Sequence, residues 1–480
     1  MNHLWRDRSY RAFIAAVLVV ASIVIDVAYA ELSARDLTHA QGLREAGMRS
    51  TLAYELAASL TTEVGPRPAG SAADARAVAW AVGQLERLGF AKVRAEPVPL
   101  KVWRRGPAHA HITSPFPQPL AITALGNSVA TATEGLDAEV AYYPDLAALR
   151  SDTSERARGR IVFVDQKTER TRDGTGYGRA VAARSTSAIE AAKRGAVAVV
   201  IRSIGTDRDR LPHTGAMRYD AAVQKIPAVA LSIPDADLLA RMAAHPATVV
   251  RPLKLHLAVQ TESAVPAISH NVIAEVPGDD LAHEVVMIGA HLDSWDLGTG
   301  AIDDAAGVGI VTAAAKLILD SGVKPRRTVR VVLFANEENG FDGAIAYGER
   351  YKDQPHQFVA ESDFGAGKVW RFSSRVLPAA LPVIVQVAEA LAPLNIGTGD
   401  NEAAPAPDAA VLMRRHRWPA LSLDQDGSDY FDWHHTANDT LDKIDPSTLP
   451  QNIAAWAVMT WLAAQSQLSF GPLPGAQPDR

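Results

Sequence analysis

The stretch Val285-Val-Met-Ile-Gly-Ala-His291-Leu-Asp293, with Gly300-Ala-Ile-Asp303-Asp304 close behind it, constrains this chain more than any other segment. The apolar run reads as a buried strand that ends in a histidine and a cluster of carboxylates. Open α/β sheets place their chemistry at the carboxyl ends of their strands. Imidazole and carboxylate at short spacing are also donors that a divalent metal site uses.

Composition limits what else can contribute. The chain has no cysteine, which excludes disulfides, thiolate metal sites and cysteine nucleophiles. Any metal must then be held by His, Asp and Glu. At 480 residues, 48% apolar and 21% charged, the chain is long enough for two or three domains around a sizeable core. Its formal net charge of −6 gives no general attraction to nucleic acid or to anionic membrane. At the N-terminus, Arg6, Arg8 and Arg11 precede an apolar run over 12–25, broken only by Ser22, and Ala28-Tyr29-Ala30 forms an A-x-A cleavage site. The run is shorter than the roughly 20 residues a spanning helix needs. Residues 1–30 therefore read as an export signal, with an uncleaved anchor as the competing reading. Both place the protein outside the cytoplasm, periplasmic or secreted, with no other membrane contact.

Periodicity predicts a helix over 36–62, a turn-rich loop over 62–71, a second helix over 72–88 and a strand over 92–102. From about 115 to 260 short β-like runs dominate, at 139–143, 160–165, 196–202 and 226–232, with one helix-like segment at 187–194. No dense His/Asp/Glu cluster lies there. From His270 the pattern becomes strand–helix alternation: a strand over 285–293, a small-residue helix over 304–319, a strand over 328–334 and a closing helix over 447–465. This alternation predicts an α/β sheet with helices on both faces. The Pro/Gly-rich tail, 471–480, is expected to be disordered.

Three further segments offer donors. Glu337-Glu338 follows an apolar strand, where alternating side chains would send one carboxylate to a metal and leave the other facing the cavity as a general base. Glu361-Ser362-Asp363 ends another apolar run. His434-His435-Thr436-Ala437-Asn438-Asp439-Thr440 adds a histidine pair and an acid able to hold the second nitrogen of an imidazole, as Asp293 could for His291. Each signal alone also fits a solvated surface, a cap or a turn.

Their order and spacing are specific. H-x-D, then G-x-x-D-D-x-x-G, then E-E after a strand, a lone Asp and H-[ST]-x-x-D-T resembles the co-catalytic two-zinc exopeptidases, which include bacterial leucyl aminopeptidases and glutamate carboxypeptidases. His291-Leu-Asp-Ser-Trp-Asp296, Gly300-Ala-Ile-Asp-Asp304, Glu361-Ser-Asp363 and His434-His435 are similar to the carboxypeptidase Q subgroup in particular. Gly159-Arg-Ile-Val-Phe-Val164, Ala191-Ala-Lys-Arg-Gly195 and Lys225-Ile-Pro-Ala228 resemble the protease-associated domain inserted in such enzymes. The resemblance covers nearly everything after the signal. It implies an α/β fold with a mixed central sheet flanked by helices and an inserted β-rich protease-associated domain. The catalytic domain would be split into 31–114 and 261–470, around an insert at 115–260.

Carried over by motif, one zinc would take His291 and Asp363 and the other Glu338 and His435. Asp303 would bridge the two Zn2+ ions through a cis bond to Asp304. Glu337 would be the base, and Asp293, Asp304 and Asp439 would support the ligands. His434 stands where many relatives have a tyrosine; it either donates a hydrogen bond to the oxyanion or only lines the wall. Asp408, Ser428, Tyr430 and Trp433 are expected to shape the substrate pocket. The implied activity is hydrolysis of dipeptides or short peptides, and relatives form homodimers. A deacylase of N-acyl amino acids, glutaminyl cyclisation and a non-catalytic binding or receptor relative are the alternatives on the same scaffold. The residues do not say which substrate terminus is held. The insert, with no visible catalytic group, is expected to cover the cleft and limit substrate length.

Overall fold

The strand Leu281–His291 forms where the apolar run predicts it, and it is buried without a break from Val285 to His291. Its side chains alternate between two cores, as the pleat requires. Val286, Ile288 and Ala290 face one apolar cluster, whereas Val285 and Met287 face another. The first cluster is covered by the helices Ala34–Gly47, Leu52–Glu63, Ala306–Asp320 and Leu449–Gln465. The second is covered by Asp342–Tyr351 and Pro407–His416. A strand covered on both faces reads as a continuous hydrophobic run for this reason.

This computed structural model describes residues 32–475, so the expected signal, 1–30, and residues 476–480 of the tail lie outside the described residues. Within 471–475, expected to be disordered, Leu473 exchanges two hydrogen bonds with Arg417 (2.8 and 2.6 Å). Among the described residues no helix is long and apolar enough to cross a membrane.

The fold is α/β, with a mixed sheet flanked by helices. Leu281–His291 pairs parallel with Arg327–Phe334 on one side and with His356–Glu361 on the other. Beyond His356–Glu361 come Ala420–Gln425, parallel, and Val369–Arg375, antiparallel. Beyond Arg327–Phe334 lies Lys254–Val276, which pairs antiparallel along its length with Ala91–Ser114. Register shifts in this long ribbon, at Val102/Arg104 and Arg105/Ala108, let it bend as it carries the chain outward and back.

The outer end of Lys254–Val276 pairs with Leu136–Tyr143. From there the sheet continues through Ile161–Val164, Ala198–Arg202, Ala228–Leu231 and Ile122–Ala124. This portion carries its own two cores. Thr175–Lys193 covers one, and Ile233–Ala243 covers the other. The single short helix expected at 187–194 is therefore the end of a longer one, and the helices Leu146–Ser151 and Ile233–Ala243 are additional. The portion's runs alternate small and polar residues, which hides helical period from a reading of hydrophobicity. The helix expected over 36–62 is two helices, broken between Gly47 and Leu52, with a capping box at Ser33 and Asp36.

Candidate metal centre

The chemistry-bearing residues arrive on five segments that end at one place. His291 is the last residue of its strand. Asp303 sits in the kinked turn Ala301–Ala305, at φ −137° and ψ 82°, outside helical geometry. The bond between Asp303 and Asp304 is cis. The long helix consequently starts at Ala306, not at Asp304. Two glycines of the motif are required by contact. A Cβ on Gly307 would meet the Ser362 carbonyl oxygen at 2.0 Å, and one on Gly300 would meet Ser294 Cβ at 2.4 Å. Glu337 and Glu338 lie in a turn, not on a strand extension, because Asn336 adopts a left-handed φ of 59°. That turn, and not the pleat, separates the two carboxylates. Glu361 ends its strand, with Asp363 two residues on. The histidine pair follows the short helix Tyr430–Trp433, with His435 at φ 62°.

Asp303 stands between the histidines. Its Oδ1 lies 3.0 Å from His291 Nε2, and its Oδ2 lies 3.2 Å from His435 Nε2 and 3.5 Å from His434 Nε2. His291 Nε2 is also 3.6 Å from Asp363 Oδ1, and His435 Nε2 is 3.0 Å from Glu338 Oε2. Burial alone would raise Asp303, but its contacts with His291 and His435 outweigh it and hold the carboxyl well below the usual range. Burial would likewise lower His291, yet Asp303 and Asp363 push it well above an ordinary histidine. Glu337 and Glu338 are pushed well above the carboxylate range, chiefly by burial and by crowding with neighbouring acids. The cluster is short of positive charge. Glu338 Oε1 is buried without a partner, and Asp303 Oδ2 faces His435 without hydrogen-bond geometry. Two donor sets overlap at Asp303, one with His434 and His435 and one with His291 and Glu338; a third joins His291, Asp304 and Asp363. Imidazole and carboxylate donors facing a common point fit a divalent ion such as zinc.

Two of the three supporting acids, Asp293 and Asp439, act differently from expectation. His291 Nδ1 faces the Asp293 backbone carbonyl at 3.0 Å; the Asp293 carboxylate is 3.8 Å away and accepts from the Glu337 N–H at 3.1 Å. Asp304 accepts from the His291 and Gly307 N–H groups at 3.2 and 3.1 Å, tying strand end to helix start. Asp439 does not reach a histidine. Its Oδ1 accepts from the Ala301 and Ile302 N–H groups, both at 2.7 Å, and so fixes the turn that delivers Asp303. The second nitrogen of His435 instead faces the Thr214 carbonyl at 3.3 Å, from the portion between 115 and 260.

Two supports were unmarked in the sequence. Arg67 is 0% exposed. It donates to the carbonyls of Leu292, Thr299 and Gly300 at 2.6, 2.7 and 2.9 Å, holding the loop between His291 and Asp303. Its only sequence signal is the turn Gly65-Pro66-Arg67-Pro68. Arg105 binds Asp296 at 2.8 Å and donates to Thr214 Oγ1 at 2.8 Å, joining the same loop to Thr214.

A cavity of about 1000 Å³ opens beside the cluster and is lined by Glu337, Asp363, Tyr430 and His434 on one side and by Tyr177 and Arg184 on the other. Of the four residues expected to shape a pocket, Tyr430 lines it. Asp408 is fully buried behind Glu361, Ser428 turns its hydroxyl to Asp426, and Trp433 packs into the core. His434 is buried, stacked on His435 at 3.5 Å between ring centroids, with its Nδ1 unpartnered.

The chain resembles known proteins along most of its length. Peptidase family M28 matches residues 271–460. Human carboxypeptidase Q is 34% identical over 431 residues, covering 88% of this chain and 87% of that protein. Carboxypeptidase Q of Xenopus laevis is 35% identical over 423 residues, covering 88% and 87%. A crystal structure of a peptidase M28 precursor from Shewanella amazonensis shares 48% identity and a TM-score of 0.88, covering 92% of this chain and 99% of that one. The zinc aminopeptidase BSAP of Bacillus subtilis, at 17% identity and a TM-score of 0.62 over 89% of this chain and 98% of that one, shares the fold. Fold and site together define a metallo-exopeptidase. The chain belongs to peptidase family M28.

Proposed function

We propose that this protein is an exported exopeptidase that hydrolyses dipeptides or short peptides with two zinc ions and a glutamate base. The observation that carries the reading is Asp303, placed between His291 and His435 with Asp363 and Glu338 on the outer sides. His291 and Asp363 would hold one zinc, His435 and Glu338 the other, and Asp303 both. When bound, the pair polarises the scissile carbonyl and activates a water. Glu337, at the cavity wall and outside the ligand contacts, takes the proton of the attacking water and delivers it to the leaving amine. Its raised affinity for a proton suits both halves of that transfer. His434, kept neutral by burial, donates a hydrogen bond to the tetrahedral oxyanion. If His434→Ala keeps near-normal turnover, that role is wrong.

Residues 115–260 form the protease-associated insert in this reading, and 31–114 with 261–470 the catalytic domain. The insert closes one side of the cavity and so limits substrate length. It also supports a polarity for the substrate. Arg184 lines the cavity with its Nε buried and unpartnered, while one terminal nitrogen donates to Tyr177 Oη at 2.6 Å. A guanidinium in this state favours a free carboxylate on the substrate. Export rests on the basic, apolar and A-x-A pattern of residues 1–30.

The test is a dipeptide panel, blocked and unblocked at each end, assayed with and without chelator. Cleavage of free dipeptides that chelation abolishes and zinc restores is expected. Activity that survives complete metal removal overturns the mechanism. Cleavage confined to amine-blocked substrates reassigns the protein to N-acyl amino acid deacylation or strict carboxypeptidase action.

A further inference from the structure

The insert is expected only to cover the cleft, but its backbone reaches the histidine pair. The Thr214 N–H donates to the His435 carbonyl at 2.9 Å, while the Thr214 carbonyl faces His435 Nδ1 at 3.3 Å. One residue earlier, His213 Nδ1 lies 2.8 Å from the His434 carbonyl oxygen. A carbonyl only accepts, so Nδ1 carries the proton. The other nitrogen, Nε2, lies 3.0 Å from Asp207 Oδ1. The ring is 1% exposed and its backbone N–H donates to Ser203 Oγ at 2.8 Å, so its position is fixed from three directions.

From this arrangement we propose that Asp207 and His213 are positioning residues that lock the histidine pair and thereby set the geometry of His435 as a metal ligand. The proposal rests on the two-zinc reading above. His435 sits at a left-handed φ of 62°, a region sparsely populated outside glycine, so neighbouring support helps to hold it there. The hydrogen bonds around it supply that support: the relay Asp207–His213 fixes the carbonyl before it, and Thr214 fixes its own carbonyl and its Nδ1. A proton on Nδ1, directed at the Thr214 carbonyl, leaves the Nε2 lone pair free to face Glu338 and Asp303. The insert thus chooses the tautomer and the aim of one ligand without touching substrate. Arg105, bound to Asp296 and Thr214, ties Thr214 to the loop that follows His291.

The experiment is zinc binding by competition with a chromophoric chelator, with kcat and KM measured in parallel at low and at saturating zinc. Wild type, His435→Ala, His213→Ala and Asp207→Asn are compared. Wild type should bind two zinc ions and His435→Ala one; if wild type binds fewer than two, the metal reading fails, whatever the relay does. With those controls met, His213→Ala should weaken the zinc that His435→Ala removes, and not the other, by about 10–100-fold, the range for a lost support of a metal-binding histidine. Its kcat should fall at low zinc and recover at saturating zinc, with KM unchanged. Asp207→Asn, which keeps the shape of the side chain, should shift the same zinc in the same direction by less. Unchanged affinity in both variants overturns the proposal. So does equal weakening of both zinc sites in Asp207→Asn, which would mean a general loosening of the fold.

Discussion

The sheet downstream of His270 and the portion between 115 and 260 are built alike, as strands covered by helices on both faces, yet they serve the centre through different parts of their residues. Downstream, the proposed ligands are side chains at a strand end, His291, and in the turns that follow strands, Asp303, Glu338 and Asp363. In the other portion the contribution sits largely in backbone: the Thr214 carbonyl and N–H, aimed by a His213 ring that touches only backbone and Asp207. Side-chain donors leave a motif because chemistry restricts the residue type. A main-chain carbonyl leaves none, since nearly every residue has one. In the proposed reading, the downstream sheet performs the reaction, and the other portion aims the ligands and holds the substrate.

The largest effect should fall on the first side. Glu337→Gln keeps the size of the side chain and removes the base, so kcat should drop by about 10²–10⁴-fold. Zinc content should stay at the wild-type value. A variant that loses a metal ion would exchange the roles of Glu337 and Glu338. If a substitution in the 115–260 portion produced an equal loss of kcat at saturating zinc, the division of labour would break.

Arg67 tests the frame of the downstream side. Arg67→Met keeps the apolar stem but leaves the Leu292, Thr299 and Gly300 carbonyls unpaired, and Asp439, Asp293, Asp304 and Asp303 lose a buried cation they share. Removing one member of a buried charge network costs about 3–5 kcal/mol. Urea unfolding of the zinc-free protein measures it. A change under about 1 kcal/mol would mean water replaces the guanidinium and the loop holds itself.

Arg184 tests the other portion. Losing one charge-assisted hydrogen bond to a substrate carboxylate should raise KM by about 10-fold or more in Arg184→Met. The kcat should change little, and substrates amidated at the carboxyl end should show no difference between variant and parent. An equal rise in KM for amidated substrates would remove Arg184 from carboxylate recognition.

How far the sequence could be read follows the same division. The strands around Leu281–His291 are legible as apolar runs, and the grouping of His291, Asp303, Glu338, Asp363 and His435 is legible from the order and spacing of their motifs, through the family these resemble; the sheet order is not. Two supporting roles fall elsewhere than expected for one reason: a carboxylate near a histidine in sequence need not bind its ring. Asp293 binds the Glu337 N–H instead, and Asp439 binds Ala301 and Ile302. Nearness in sequence does not tell side-chain direction once a turn with left-handed residues, such as Asn336 or His435, intervenes. Arg67 is distant from every motif in sequence and meets the loop only after folding.

At Asp439 the expected effect depends on pH. Burial and the charge of Asp303 push the Asp439 carboxyl up to about 7, against the Ile302 and Ala301 N–H groups and Arg67, which pull it down. In the unfolded chain it titrates near 4. Between those values the folded protein binds the proton and the unfolded chain does not, so stability falls as pH rises. The contribution is complete below the unfolded value and is lost as pH passes through the folded one. Asparagine is neutral throughout and keeps an oxygen for the two N–H groups. Asp439→Asn should therefore flatten the fall in Tm of the chelated protein between about pH 4.5 and 7.5. Zinc at Asp303 supplies the missing positive charge, so the difference between variant and parent should shrink when zinc is restored. A parent whose Tm rises across that window would mean Asp439 is already ionised at pH 5, held down by Arg67 and the turn it anchors.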